Sequence, residues 1–189
     1  MTLLRLDPEL AEKAGAAGKA VNVDLPEFAK RQIPNQVHVL MIVRTLKALA
    51  DRFGDEVWKV CNESMYQLGR EIGPEMKTLL AVDVNDARSL TRLVDATNVC
   101  LDIVGEEVVF TEKEVIRHEK ECLLGPMMHA QDGHHYCMLF QTMYRGVLNE
   151  LSKEAGCNNM YCSMSHGDDH CEVKTWVGKD DPRIPPGRY

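Results

Sequence analysis

The chain lacks the features that mark membrane-spanning, secreted and nucleic-acid-binding proteins. Its 189 residues contain no run of about 18 apolar residues, so we expect no membrane span. The net charge is -7 and no basic stripe is present, which argues against nucleic acid as a partner. The first residues do not follow the charged, apolar and small-residue order of a signal peptide. We therefore expect a cytoplasmic protein, whose cysteines would usually be reduced.

No internal repeat is evident, and composition divides the chain into three parts. Residues 1–35, which Pro26 and Pro34 interrupt, are interpreted as an arm that packs on the domain or on a partner. Residues 36–178 are long enough for a single domain with its own apolar core. Residues 179–189 are rich in proline and charge, which predicts a solvated tail.

Apolar side chains recur every three or four residues in four segments, and this spacing predicts four long helices. The segments are residues 37–53, a second from Asp55 that contains Gly69 and Gly73, a third capped by Asn85 or Asp86, and a fourth over residues 134–154. The two glycines permit close approach of another backbone or of a ligand, and we favour helix packing.

Two pairs of strands are also predicted. The first pair covers residues 107–110 and 114–120, and the second is a hairpin turned by Gly167 and Asp168, residue types that tolerate positive φ. Helices, a strand pair, a helix and a second strand pair predict an α+β fold. In that fold the helices pack on one side of an antiparallel sheet.

Charged residues mark one face of the strand at 114–120. Arg117, Glu119 and Glu121 alternate along the strand, and side chains two residues apart point to the same side of a sheet. Charged side chains are seldom fully buried unless they are paired, so we expect this face to be exposed to water.

Cysteine and histidine are concentrated in residues 118–176, which hold five of the seven cysteines and six of the seven histidines. Cys137 lies one turn inside the start of its helix, where the helix dipole favours a thiolate. Cys162 and Cys171 flank the turn at Gly167, and a regular hairpin would place both sulfurs on one face. A helix and a hairpin are therefore expected to bring three sulfurs together.

Three interpretations of these cysteines stay open. As metal ligands they would bind zinc, with Cys157, Cys122 or a histidine as a fourth ligand, or they would hold an iron–sulfur cluster. As core residues they would be small apolar side chains. As a catalytic thiol, Cys122 would act as a nucleophile, with His118 or His129 to move the proton.

The cysteines and the turn between them resemble a known signature. Cys137 in its apolar helix, then Cys162, then the ending Gly167-Asp168-x-x-Cys171 resemble the C-terminal part of 4-vinyl reductase domains. The resemblance implies the α+β ligand-binding fold shared with Golgi-transport (TRAPP-like) and nitric-oxide-sensing haem domains. It also implies a cavity between helices and sheet for a small hydrophobic or aromatic ligand.

The same resemblance implies a metal site. In aromatic-sensing relatives three cysteines and a glutamate hold zinc, and Cys137, Cys162 and Cys171 match the three cysteines. The glutamate expected just before the middle cysteine is missing, and Cys157 would replace it in a four-cysteine site. Zinc is the expected metal, with iron or an iron–sulfur cluster as the alternative. Fold analogy further implies a homodimer through the first long helices.

The upstream half resembles the L-2-amino-thiazoline-4-carboxylic acid hydrolase family. This likeness rests on Phe53-Gly54-Asp55-Glu56, on the Gly69-x-x-x-Gly73 helix and on the position of Cys122. It implies a hydrolase that opens a C–N bond of a small heterocycle or amidine. A thiolate at Cys122 or a metal-activated water would attack, and His118 or His129 would move the proton. The alternative is a non-catalytic module that binds a small hydrophobic ligand and carries a structural metal.

Overall fold

The computed structural model describes residues 27–100, 103–122, 124–131, 133–159 and 162–178. Its elements, in chain order, are α1 (Glu27–Phe53), α2 (Glu56–Leu79), α3 (Ala87–Cys100), β1 (Val104–Phe110), β2 (Glu114–Glu121), α4 (Gly125–Ala130), α5 (His134–Leu151), β3 (Ala155–Asn159), a 3-10 turn (Met164–His166) and β4 (Cys171–Val177). Residues 1–26 of the predicted arm and the predicted tail at 179–189 lie outside the described residues.

The four predicted long helices are all present, and the first begins earlier than the sequence indicates. Helix α1 already includes Glu27, ten residues before Val37, and continues through Pro34. Proline costs a helix one hydrogen bond, which is why it suggests an interruption. Gln36 and Val39 are buried directly after it, so packing outweighs the missing bond here. Residues 27–35 therefore form the first described part of α1.

Helices α2 and α5 cross with their backbones in contact. A Cβ atom on Gly69 of α2 would overlap the carbonyl oxygen of Met143, and one on Gly146 of α5 would overlap the carbonyl oxygen of Tyr66. Only glycine leaves room for this approach. The preference for helix packing at Gly69 is confirmed, and the contact fixes the position of α5 over the sheet.

The sheet has four antiparallel strands in the order β1-β2-β4-β3. The pairing of β1 with β2 follows the first predicted strand pair, with Phe110 opposite Val115 next to the turn. The helices pack on this sheet, so the predicted α+β architecture is confirmed. Two buried clusters form the core, one around Leu90, Leu93 and Val147 and the other around Val43 and Met128.

The second strand pair differs from the short hairpin that the sequence predicts. Strand β3 is described as far as Asn159, which lies opposite Val173 of β4, and residues 162–170 contain no strand, so the connection is much longer than two residues. Gly167 does have the expected positive φ, at 96°. The backbone N–H of Ser163 donates to Asp168 Oδ2 at 2.7 Å. This side-chain bond closes a loop instead of a tight β-turn.

Cys162 consequently lies in the loop and not in a strand. The backbone N–H of Glu172 still donates to the carbonyl oxygen of Cys162 at 3.1 Å, which keeps the loop beside the start of β4. The regular two-strand ladder that would place Cys162 and Cys171 on one face is absent from this described segment.

Among the described residues, no helix is both long and apolar enough to cross a membrane.

Candidate functional site

A cavity of about 100 Å³ lies between α3, α5 and the inner face of the sheet. Four cysteines contribute to its wall, each from a different part of the fold. They are Cys122 after β2, Cys137 on α5, Cys157 on β3 and Cys171 on β4. Apolar side chains such as Val94, Phe140 and Val173 make up much of the remaining wall. The fold thus gathers distant cysteines around one space, although they do not form a compact cluster.

Glu119 is the charged residue of this wall, and it corrects the prediction of a wet face on β2. Its side chain is 6% exposed, and Asn98 Nδ2 on α3 donates to its Oε1 at 2.8 Å. Arg117, on the same face, forms an ion pair with Asp95 of α3. Alternation placed these side chains together correctly, but helix α3 covers them. The sequence did contain a signal that this face is buried, because the apolar residue Val115 lies on it and is itself buried.

Burial raises the pKa of the Glu119 carboxyl, and the hydrogen bond from Asn98 opposes that shift only in part. Burial shifts a carboxyl towards its protonated form because the charge loses solvation. A protonated carboxyl donates as well as accepts hydrogen bonds. Burial thus makes the Glu119 carboxyl easier to protonate than a carboxyl in water.

Gln141 of α5 supplies a second polar atom. Its Oε1 is buried, and it accepts no hydrogen bond from any residue that the structure describes. A buried acceptor without a partner is costly unless water or a ligand donates to it. Because Gln141 is one of the residues that line the cavity, a ligand with a hydrogen-bond donor is one way to satisfy this atom, and the sequence alone gave no sign of it.

The cavity thiols favour the neutral form. Burial raises the pKa of Cys137 and of Cys157 to about 12, and that of Cys171 to about 11. The direction at Cys137 is opposite to the one expected from its place near a helix start, because loss of solvation outweighs the helix dipole. In the absence of a metal these groups act as small, weakly polar wall residues.

The predicted zinc ligands are brought only partly together. Cys137, Cys157 and Cys171 line the cavity, whereas Cys162 is not part of its wall. Among the described residues, no three cysteine sulfurs lie within 4.8 Å of one another. Thiolates are suitable ligands for zinc or iron, but the four sulfurs do not form a closed site in this arrangement. The four-cysteine metal site stays a prediction.

The predicted catalytic residues are also separated. Cys122 lines the cavity, and the backbone N–H of Gly125 donates to its sulfur at 3.2 Å. Burial raises the pKa of its thiol. Neither His118 nor His129 belongs to the cavity wall. His129 is exposed on α4 beside Gly167, and His118 points to the opposite face of the sheet, where it contacts Glu172.

On that opposite face, His118, His170 and Glu172 form a compact group. Their ligand-type atoms all lie within 4.8 Å of one another, and no other group of three such residues in the described ranges meets this spacing. His118 and Glu172 are direct partners across β2 and β4. The sequence contained a signal for the pair His118 and Glu172, because each is next to a cavity-lining residue and so faces the other side of the sheet. The position of His170 depends on the long loop, and alternation along a strand does not predict it.

Comparisons with known proteins identify the fold and not the family. No protein-family model and no curated protein matches the chain. One similar solved structure is trafficking protein particle complex subunit 3 from Naegleria fowleri, covalently bound to palmitic acid, with 12% identity and a TM-score of 0.52 over 76% of this chain and 97% of that one. Another is the phenol-responsive sensory domain of the transcription activator PoxR with phenol, with 11% identity and a TM-score of 0.53 over 72% and 73% of the two chains.

Both similar structures share the architecture of this chain, so the predicted TRAPP-like fold is confirmed. At these levels of identity the likeness concerns the fold alone. The resemblance to 4-vinyl reductase domains and to the thiazoline hydrolases has no support from a family model.

Proposed function

We propose that this protein is a non-catalytic module that binds a small, mostly apolar molecule in the cavity between α5 and the sheet. The observation that carries the proposal is a cavity wall of apolar and sulfur side chains with a few polar residues among them. Small-molecule sites generally combine such a wall with a few orienting polar groups. The two similar structures support the proposal, because one holds phenol and the other palmitic acid.

The size of the cavity favours a ligand the size of a single ring. Its volume is about 100 Å³, and an engineered cavity of about 150 Å³ in another protein is large enough to bind benzene. A small aromatic molecule would therefore fit after a modest adjustment of the wall. A long acyl chain would need a much larger rearrangement, so we infer a compact ligand.

The polar atoms indicate what this ligand carries. Gln141 Oε1 needs a hydrogen-bond donor. A hydroxyl or amino group on the ring would satisfy it, whereas the mostly apolar wall would penalise the charge of a carboxylate, because that charge would lose its solvation. The inferred class is a small neutral aromatic or cyclic molecule with one N–H or O–H group.

The hydrolase interpretation has weaker support. A thiol nucleophile needs a lowered pKa or an adjacent base, but the pKa of Cys122 is raised and neither predicted histidine lines the cavity. In this proposal a metal bound by the cysteines would have a structural role, and a measurement of metal content would test whether one is bound.

A homodimer remains part of the proposal. Helices α1 and α2 expose large apolar side chains, including Met41 at 62%, Phe53 at 60% and Val60 at 58%. Exposed large apolar side chains on these two helices would be covered if the helices of two copies packed together. Light scattering after size-exclusion chromatography would test it, and a monomer at micromolar concentration would contradict it.

Calorimetric titration with phenol, aniline, toluene, benzoate and palmitate tests the proposed ligand class. We expect phenol or aniline to bind more tightly than toluene, and benzoate to bind most weakly of the ring compounds. Gln141→Leu should reduce the difference between phenol and toluene, because it removes the acceptor. Gln67→Leu is the matched control, since Gln67 is exposed on α2. Absence of binding by every ring compound, or tighter binding of palmitate, would contradict the proposal.

A further inference from the structure

The group formed by His118, His170 and Glu172 lies on the face of the sheet that points away from the cavity. Glu119 and Cys171 are partners across β2 and β4 and line the cavity, so the neighbouring pair His118 and Glu172 faces the other way. All three members of the group are half-buried. The group is therefore separate from both the cavity and the predicted cysteine site.

The distances within the group suit ligands of one metal ion. His118 Nε2 and Glu172 Oε2 are 3.0 Å apart. Two ligand atoms at about 2.0–2.1 Å from a tetrahedral metal would be roughly 3.3–3.4 Å apart. The two side chains would need to separate by only a few tenths of an ångström. The His170 ring lies against that of His118, with centroids 4.6 Å apart and planes inclined by 41°.

A second carboxylate orients the histidine from the loop. His170 Nδ1 lies 2.6 Å from Asp169 Oδ1. If Nδ1 carries the proton and donates it to Asp169, Nε2 of the same ring keeps its lone pair for a metal. Histidine ligands in metal sites usually have such a partner on the second nitrogen.

The charged residues of the neighbouring strand β1 affect the electrostatic potential at the group. Glu106 of β1 lies opposite His118 on the other side, and it forms an ion pair with Lys120 at 2.6 Å. The Glu106 carboxylate is thus partly neutralised but still adds negative potential near the histidines. The chain as a whole has a net charge of -7, which also favours cations.

We propose that His118, His170 and Glu172 bind a first-row divalent transition metal, with zinc as the expected physiological ion. Two imidazoles and one carboxylate are ligands of zinc and its neighbours rather than of calcium or magnesium. Three protein ligands leave one tetrahedral position for water or a small anion. The ion would tie β2 to the loop that leads into β4.

Cobalt titration of the chelator-treated, reduced full-length chain tests this site. Co²⁺ is the probe because its spectrum distinguishes thiolate ligands from nitrogen and oxygen ligands. We expect one equivalent to bind without the near-ultraviolet bands of cobalt thiolates, and zinc to displace it. Binding at the cysteines would show those bands and would mark a different site.

Single substitutions then assign the ligands. His118→Gln and Glu172→Gln should each weaken this cobalt binding by about 10–100-fold or more, and His170→Gln gives a third variant in the loop. His38→Gln is the matched control, because it removes an exposed histidine from α1. Circular dichroism would confirm that each variant is folded. The proposal is overturned if the folded variants bind cobalt as tightly as His38→Gln does, or if wild-type binding occurs only with thiolate bands.

Discussion

The crossing of α2 and α5 predicts that two glycines on one helix differ sharply in their tolerance of alanine. A Cβ atom on Gly69 would overlap the Met143 carbonyl oxygen and lie 2.9 Å from the backbone nitrogen of Val147. On Gly73, one turn later, the nearest atom would be the Val147 carbonyl oxygen at 3.3 Å. A helical backbone cannot yield locally. Gly69→Ala must therefore push the helices apart, whereas Gly73→Ala needs a shift of a few tenths of an ångström.

The expected magnitudes follow from two opposing effects. Alanine in a helix interior is favoured over glycine by about 1 kcal/mol at either position. Overpacking costs about 1–3 kcal/mol, and overlap with backbone on a second helix belongs at the upper end of that range. We therefore expect Gly69→Ala to lower the free energy of unfolding by about 2 kcal/mol, and Gly73→Ala to leave it unchanged or raise it by up to about 1 kcal/mol.

Thermal and urea unfolding followed by circular dichroism would measure this difference. About 1 kcal/mol shifts the Tm of a domain of this size by about 2–4 °C, so Gly69→Ala should lower Tm by about 4–8 °C. Gly146→Ala should behave like Gly69→Ala, because its Cβ would overlap the Tyr66 carbonyl oxygen. If Gly69→Ala is as stable as Gly73→Ala, the helices do not cross with their backbones in contact.

Three further predictions concern the cavity. Burial raises the folded-state pKa of Glu119 above its ordinary value of 4.5, so the stability of the wild type falls as pH rises above that value and the carboxyl must ionise inside the protein. The stability of Glu119→Gln relative to wild type, measured by urea unfolding, should therefore increase with pH from about 4.5, and Glu121→Gln, which changes an exposed carboxyl, is the control. Burial raises the pKa of the Cys137 thiol to about 12. In metal-free native protein this thiol should therefore resist iodoacetamide at pH 8 and react once urea is added. Rapid labelling of the native protein, detected by mass spectrometry, would contradict this burial. If the cysteines hold zinc, anaerobically purified protein should contain cysteine-bound metal that Cys171→Ser loses and His118→Gln retains; equal loss in both variants would count against a separate cysteine site.

Local patterns predicted most of the secondary structure. The 3.6-residue periodicity that identified α2, α3 and α5 reflects faces that are buried, such as Leu90 and Leu93 on α3. The positive φ of Gly167 was also predictable, because it depends on the residue type and its neighbours. These features are determined within a few residues along the chain.

The parts of the site that depend on tertiary contacts were harder to predict. Whether Glu119 faces water or a helix depends on where α3 packs, and its bond to Asn98 joins residues that are 21 positions apart. The path of the loop before β4 depends on the bond between Ser163 and Asp168. Cys162 lies in this loop, whereas the predicted hairpin placed it in a strand.

Adjacent residues at the start of β4 contribute to two different sites. Cys171 faces the cavity, and Glu172 faces the histidines on the other side of the sheet. The same loop supplies Ser165 to the cavity wall and His170 to the histidine group. A metal that holds His170 would thus order a segment that a cavity ligand also contacts. Because coupling between two binding sites is reciprocal, we expect zinc and the cavity ligand to raise each other's affinity by the same factor. Equal ligand affinity with and without zinc, measured by calorimetry, would show that the strand separates the two sites energetically.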